Sequence, residues 1–188
     1  MRYRILLFLC LALPLLQACI PVVALVATGG VLVSEDRRTS GALLEDQNIE
    51  RKAGNMIREK FKSQAHINVT SYNRTVLLTG EAPSDTAKTE IEQFVRSVKN
   101  VRGTHNEIVI AGTSSFVARS SDTYLTSKVI ARFLEAGKFQ LNHIKLVTEN
   151  SVVYLLGIVT HQEANDAVEV ASTTGGVQKV IKLFEYKD

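Results

Sequence analysis

The 188 residues carry 22 lysines and arginines against 19 aspartates and glutamates, and Arg2 and Arg4, the basic residues of the first 18, sit in a segment expected to be removed. The remaining balance is nearly neutral, which excludes the clustered basic surplus of a nucleic-acid footprint. Of the two cysteines, Cys10 falls in that leading segment, so no pair is left for a disulfide and the mature fold must rest on packed cores.

In chain order, Arg2 and Arg4 precede an apolar stretch from Ile5 to Leu16, the layout of a secretory signal, and Leu16-Gln17-Ala18-Cys19 reads as a lipobox with small Ala18 at the cleavage position. In bacterial lipoproteins the cysteine of such a box takes a diacylglycerol on its thiol and, after cleavage, an acyl chain on its amine. The resemblance implies a signal peptide over 1–18 and a mature chain starting at lipidated Cys19, with no other cofactor. Multiple acylation satisfies the two-signal requirement for stable anchoring, each buried methylene contributing about 0.8 kcal/mol. The apolar run itself is shorter than the ~20 residues of a bilayer span. Ile20–Val33 is apolar but broken by Pro21 and Gly29-Gly30; it reads equally as a membrane-proximal tether and as a first strand. Asp36-Arg37-Arg38 is taken as the return to water, and the lipidated terminus and tether are assigned to 19–45.

An internal repeat follows. Residues 46–110 match 122–186 at an offset of 76 to 77: Asp46-x-x-Ile49 aligns with Asp122-x-x-Leu125, Ile67-Asn68-Val69 with Ile144-Lys145-Leu146, and Val76 to Gly80 with Val153 to Gly157. Each copy opens on a helix, in which Ile49, Ala53, Met56, Ile57 and Phe61 form the stripe of the first. A hairpin follows, its turn at Asn73-Arg74 or Asn150-Ser151, and Gly80 and Gly157 are read as breaking its second strand. A second helix starts at Ser84 in one copy and, in the other, at Thr160, where Thr160-x-x-Glu163 makes a capping box. Its stripe in the first copy is Ala87, Ile91, Phe94, Val95 and Val98. A last strand, Glu107–Ile110 or Val180–Phe184, closes the unit. The predicted class is α+β: two tandem αββαβ units over 46–110 and 122–188, each a three-stranded mixed sheet with two helices on one face. Residues 111–121, small and polar, are read as the linker.

The repeated unit resembles the BON domain, and a lipobox followed by two such units resembles the dual-BON envelope lipoproteins of Gram-negative bacteria. The residues carrying the resemblance are Gln17-Ala18-Cys19, Ile67 to Tyr72, Val76 to Gly80, Asp122 to Val129, and Val147 to Asn150 running on to Gly157. It implies an outer-membrane anchor facing the periplasm, binding of anionic phospholipid, association with division sites, support of envelope integrity and no catalysis. Where the family's second-unit helix begins with tryptophan, this chain has Tyr124, which keeps an interfacial ring.

On that helix, at 100° per residue, Leu125, Val129, Ile130, Phe133 and Leu134 are expected on the buried side. Tyr124, Lys128, Ala131 and Glu135 lie opposite, with Arg132 on the flank. An aromatic beside two cations suits a headgroup layer, so Tyr124, Lys128, Ala131 and Arg132 are the candidate site for phosphatidylglycerol or cardiolipin. An ordinary solvated helix face with snorkelling cations gives the same pattern. A second functional class also stays open: a scaffold presenting a sheet edge or helix face to envelope proteins such as the outer-membrane assembly machinery.

Enzyme signatures do not emerge from the sequence. It offers no G-x-S-x-G elbow, no phosphate loop followed by Lys-Ser/Thr and no H-E-x-x-H. Metal or acid–base ligands among its histidines could converge only through folding. His66 and His143 occupy equivalent places before the first hairpin strand of each copy, which reads as a repeated structural role, and no metal is expected.

Overall fold

The structure, a computed structural model, describes residues 36–112 and 116–188. The first copy opens with helix α1 (Ser40–Phe61), capped by Thr39, whose hydroxyl accepts from the Ala42 amide at 3.1 Å. The helix thus takes in 40–45, residues that the sequence reading gave to the tether. Ile49, Ala53, Ile57 and Phe61 are buried, whereas Met56 is exposed, since i+3 from Ala53 carries it past the edge of the stripe. Strands β1 (His66–Tyr72) and β2 (Thr75–Ala82) pair antiparallel. Asn73 and Arg74, at φ 48° and 68°, supply the left-handed pair that a two-residue hairpin requires. Helix α2 (Asp85–Ser97) begins one residue after Ser84, the start expected from the sequence, and Ser84 caps it. The closing strand comes in two pieces, β3 (Gly103–Asn106) and β4 (Val109–Ile110), both parallel to β2. Between them Ile108 turns inward and is buried.

The second copy repeats this order with α3 (Phe116–Ala136), a 3-10 turn at Leu141–His143, β5 (Ile144–Glu149), β6 (Val152–Val159), α4 (His161–Ser172) and β7 (Lys179–Tyr186). Helix α3 starts inside the stretch read as linker. β6 is central, antiparallel to β5 and parallel to β7. The Thr160–Glu163 capping box forms with both of its hydrogen bonds. The αββαβ order thus holds in both copies, two helices over a three-stranded mixed sheet in each.

Gly80 and Gly157 do not break their strands; β2 and β6 run through them. Both let the neighbouring strand come close: a Cβ on Gly80 would lie 2.0 Å from the His66 carbonyl oxygen, and one on Gly157 2.4 Å from that of His143. At φ 107° Gly80 also holds a backbone geometry that side chains disfavour.

Alternation along the central strands builds three cores. Val76, Leu78 and Ala82 of β2 face α1 and α2, packing on Ile49, Ile57, Ile91 and Val95. Val153, Leu155 and Val159 of β6 do the same under α3 and α4 with Val129, Phe133 and Ala167. The alternate residues form a third core with Tyr72 and Leu77 from the first sheet and Tyr154 and Leu156 from the second. The two copies therefore join through the sheet faces that their helices leave uncovered. Polar groups frame the seam: Lys145 Nζ donates to Glu50 Oε1 (2.8 Å) and to the Ser71 carbonyl (3.3 Å), and Asn73 Nδ2 donates to Glu185 Oε2 (2.8 Å).

Asp36-Arg37-Arg38, expected in water, lies across this seam. Arg37 donates in bidentate fashion to Glu163 (2.6 and 2.8 Å) and to the Ile158 carbonyl (2.8 Å) in the second copy. Arg38 reaches the first copy, donating to Asp46 Oδ2 (3.0 Å) with its guanidinium 4.2 Å from the centre of the Tyr72 ring. Planar guanidinium groups satisfy buried acceptors better than solvent does when a carboxylate stands opposite, which is why this charged triplet docks.

Candidate functional site

Helix α3 rests on its own sheet through a single narrow row. Leu125, Val129 and Phe133, four residues apart, are buried, and Phe133 meets the Phe139 ring edge-on at 4.9 Å between centroids. Ile130 and Leu134, expected on the buried side, are instead 37% and 65% exposed. They follow Val129 and Phe133 by one residue, which turns them about 100° away from the row that the sheet covers. Their exposure enlarges the outward apolar surface. Tyr124, 71% exposed, Ala131, Ile130 and Leu134 now share the solvent side of one helix.

The four predicted site residues divide into two roles. Tyr124 and Ala131 face outward and are exposed. Lys128 and Arg132 run along the flank, half-buried, toward the loop that follows α4. Lys128 Nζ donates to the Gly175 carbonyl (2.7 Å) and Arg132 Nη1 to the Thr174 hydroxyl (3.2 Å). That loop turns at Gly176, φ 105°. Each cation keeps donors beyond the single bond it makes to the loop, so both can serve an anion arriving at the helix flank. Glu135 is exposed one turn beyond Ala131 and partly offsets the two positive charges. Lys138 contributes less to the patch: the carboxylates of Glu169 (3.0 Å) and Asp166 (3.3 Å) engage it and raise its pKa. Cys19, the predicted lipidation site, lies outside the described residues.

The matching face of the first copy is different. Asn48, aligned with Tyr124, carries no ring and accepts from Arg51 at 3.4 Å. The residues that the sequence reading missed, Ile130 and Leu134, were legible in principle: a row at strict four-residue spacing buries a narrower band than the general amphipathic pattern.

A duplicated αββαβ unit with the helices of each copy on one side and the two sheets back to back defines the class. The chain belongs to the BON domain family, which matches it over residues 45–112 and 121–188. Among curated relatives it is 35% identical to the outer membrane lipoprotein DolP of Haemophilus influenzae over 178 residues, 92% of this chain and 91% of that one. It is 32% identical over 153 residues to the 21 kDa hemolysin of Actinobacillus pleuropneumoniae, covering 80% of this chain and 79% of that one. To the osmotically-inducible protein Y of Escherichia coli it is 26% identical over 158 residues, covering 81% and 78%. No helix among the described residues is long and apolar enough to cross a membrane.

Proposed function

We propose that the chain is a periplasm-facing lipoprotein of the outer membrane, anchored through acylated Cys19, that binds anionic phospholipid, phosphatidylglycerol or cardiolipin, through its second BON unit. In this reading it is a binding protein without catalysis that supports envelope integrity, division sites included. The observation that carries it is the outward face of α3, where Tyr124, Ile130, Ala131 and Leu134 are exposed side by side with Lys128 and Arg132 on the flank. A tyrosine suits the headgroup layer, and each cation near an anionic surface contributes about 1 kcal/mol. The name of the Haemophilus influenzae relative supports the anchor and its membrane. So does Ile20, which stands after the cysteine in place of an aspartate, as in lipoproteins sorted outward.

Cosedimentation with liposomes tests the reading on the chain lacking its anchor. Tyr124→Ala combined with Lys128→Glu should abolish binding to phosphatidylglycerol vesicles with an unchanged circular dichroism spectrum, and wild-type binding should weaken with salt and be absent on zwitterionic vesicles. Because Lys128→Glu also cuts the bond to Gly175, Tyr124→Ala with Leu134→Ala is the companion that leaves the loop tied. Wild-type binding by both variants would move the function to a protein-facing scaffold, for instance of the outer-membrane assembly machinery. For the anchor, Cys19→Ala should shift the protein from the membrane to the soluble periplasmic fraction, and retention of that variant would contradict lipidation as the tether.

A further inference from the structure

The seam between the two units holds an ionisable cluster that lipid binding leaves unused. His66 and Glu81 are cross-strand partners on β1 and β2, on the sheet face turned toward the second unit. Glu149, at the end of β5, comes from that unit. One donor atom from each of the three side chains lies within 4.8 Å of the other two. Glu81 and Glu149 are buried, and His66 is half-buried. We propose that His66, Glu81 and Glu149 form a divalent-cation site, best suited to zinc, that pins the two units together.

The geometry of the donors fits. His66 Nδ1 is inaccessible to solvent and has no hydrogen-bond partner among the described residues. It points at Glu81 Oε2 from 3.3 Å, out of line for a hydrogen bond. That separation is close to the edge of a zinc tetrahedron, roughly 3.4 Å for metal–ligand bonds near 2.1 Å. The Glu149 carboxylate is already oriented, with its Oε2 accepting from Asn68 Nδ2 (2.8 Å) and from the Thr79 hydroxyl (3.1 Å), the kind of outer support that ligating carboxylates have. With the imidazole neutral, as a ligand must be, the two carboxylates bring the two negative charges that a dication cancels. One imidazole with two carboxylates suits zinc, whereas calcium asks for six to eight oxygens. Water supplies the fourth position.

The internal repeat shows that the fold itself does not require this charge. At the offset of 77, His66, Glu81 and Glu149 correspond to His143, Ile158 and Tyr72. That other set also meets across the seam, where the Tyr72 hydroxyl donates to the His143 carbonyl at 3.3 Å. The same pseudo-symmetric contact is therefore built once from an aromatic and an aliphatic side chain and once from two carboxylates. Only the second version can hold a metal.

The test uses the full chain in detergent, stripped with chelator and titrated with zinc chloride. We expect one equivalent to bind and the melting temperature to rise with free zinc, as for any ligand of the folded state alone. Glu149→Gln keeps an acceptor for Asn68 and Thr79 yet removes the charge, and His66→Gln removes the imidazole. Each should weaken zinc at least as much as the roughly 10–100-fold typical of losing an outer-sphere partner and abolish the melting response. Should a variant fail to fold, X-ray absorption of the wild-type zinc complex decides, with a nitrogen and oxygen shell containing a single imidazole expected. Equal zinc binding by wild type and both variants, a shell containing sulfur, or no thermal response to zinc would each overturn the site.

Discussion

Asp46 and Asp122 show what the repeat signals and what it hides at the scale of single residues. Their alignment was visible in the sequence, but their task was not. Each carboxylate sits under the hairpin turn of its own copy: Asp46 accepts from the amides of Asn73 (2.8 Å) and Arg74 (2.7 Å), and Asp122 from those of Asn150 and Ser151 (both 2.9 Å). A left-handed pair without glycine needs such support. Asp122→Ala should therefore cost about 1–3 kcal/mol for each turn amide left without an acceptor, read as a lower urea midpoint. Gly80→Ala should cost more than about 1 kcal/mol, because the new methyl meets the His66 carbonyl while φ stays positive. Glu163 is the residue whose protonation the fold feels most clearly. The Arg37 guanidinium first, and then the Thr160 amide, hold its carboxyl down from the ordinary 4.5 to about 2 against the opposing effect of burial. A lowered folded-state pKa means stabilisation that is present above pH 4.5 and lost as the pH falls toward 2. Arg37→Ala should accordingly be less stable than wild type by about 1.5–3 kcal/mol at neutral pH, and the gap should close across that acid window in denaturation curves measured at successive pH values.

Among the elements, those whose packing is local were legible and those with two neighbours were not. Helix α2 announced its start at Ser84 and its buried row because both follow from local pattern alone, and Ile91, at 0% exposure, is the centre of that row. Ile91→Ala should cost about 2–5 kcal/mol as a buried large-to-small change; an unchanged melting temperature would mean that the row does not bear on the sheet. The unbroken apolar run Val152–Val159 carried a signal that alternation does not, since a strand apolar on both sides is one covered on both sides. Read only as the partner of β5, it concealed the third core. Helix α3 misled in the opposite direction: Ile130 and Leu134 fit an apolar stripe, yet the sheet covers one row only, and the leftover side chains became the surface on which the proposed lipid contact rests. The flank positions of Lys128 and Arg132 depend on Thr174 and Gly175, more than 40 residues away in sequence, which no local pattern encodes.

For the whole molecule the decisive contact is the one between sheets. Tyr72, Leu77, Tyr154 and Leu156 are all buried in a core that neither copy owns. Separating the units would expose these four, and fully burying a side chain of that size contributes roughly 1.5–3 kcal/mol. That sum is comparable to the whole stability of a small domain, so neither copy is expected to persist once the other unfolds. The composition of the seam explains why the sequence did not reveal it: its residues are scattered from Arg37 to Glu185, and each also belongs to a locally sensible strand or turn. The expected behaviour is a single cooperative transition in which the amides of β2 and β6 exchange with the same free energy in native-state hydrogen exchange. Leu77→Ala is the discriminating variant, because the side chain points away from the helices of its own copy. It should destabilise by about 2–5 kcal/mol and lower protection in β6 as much as in β2. If β6 kept its wild-type protection while β2 lost it, the copies would be independent domains in contact, and the face-to-face core would carry no coupling between them.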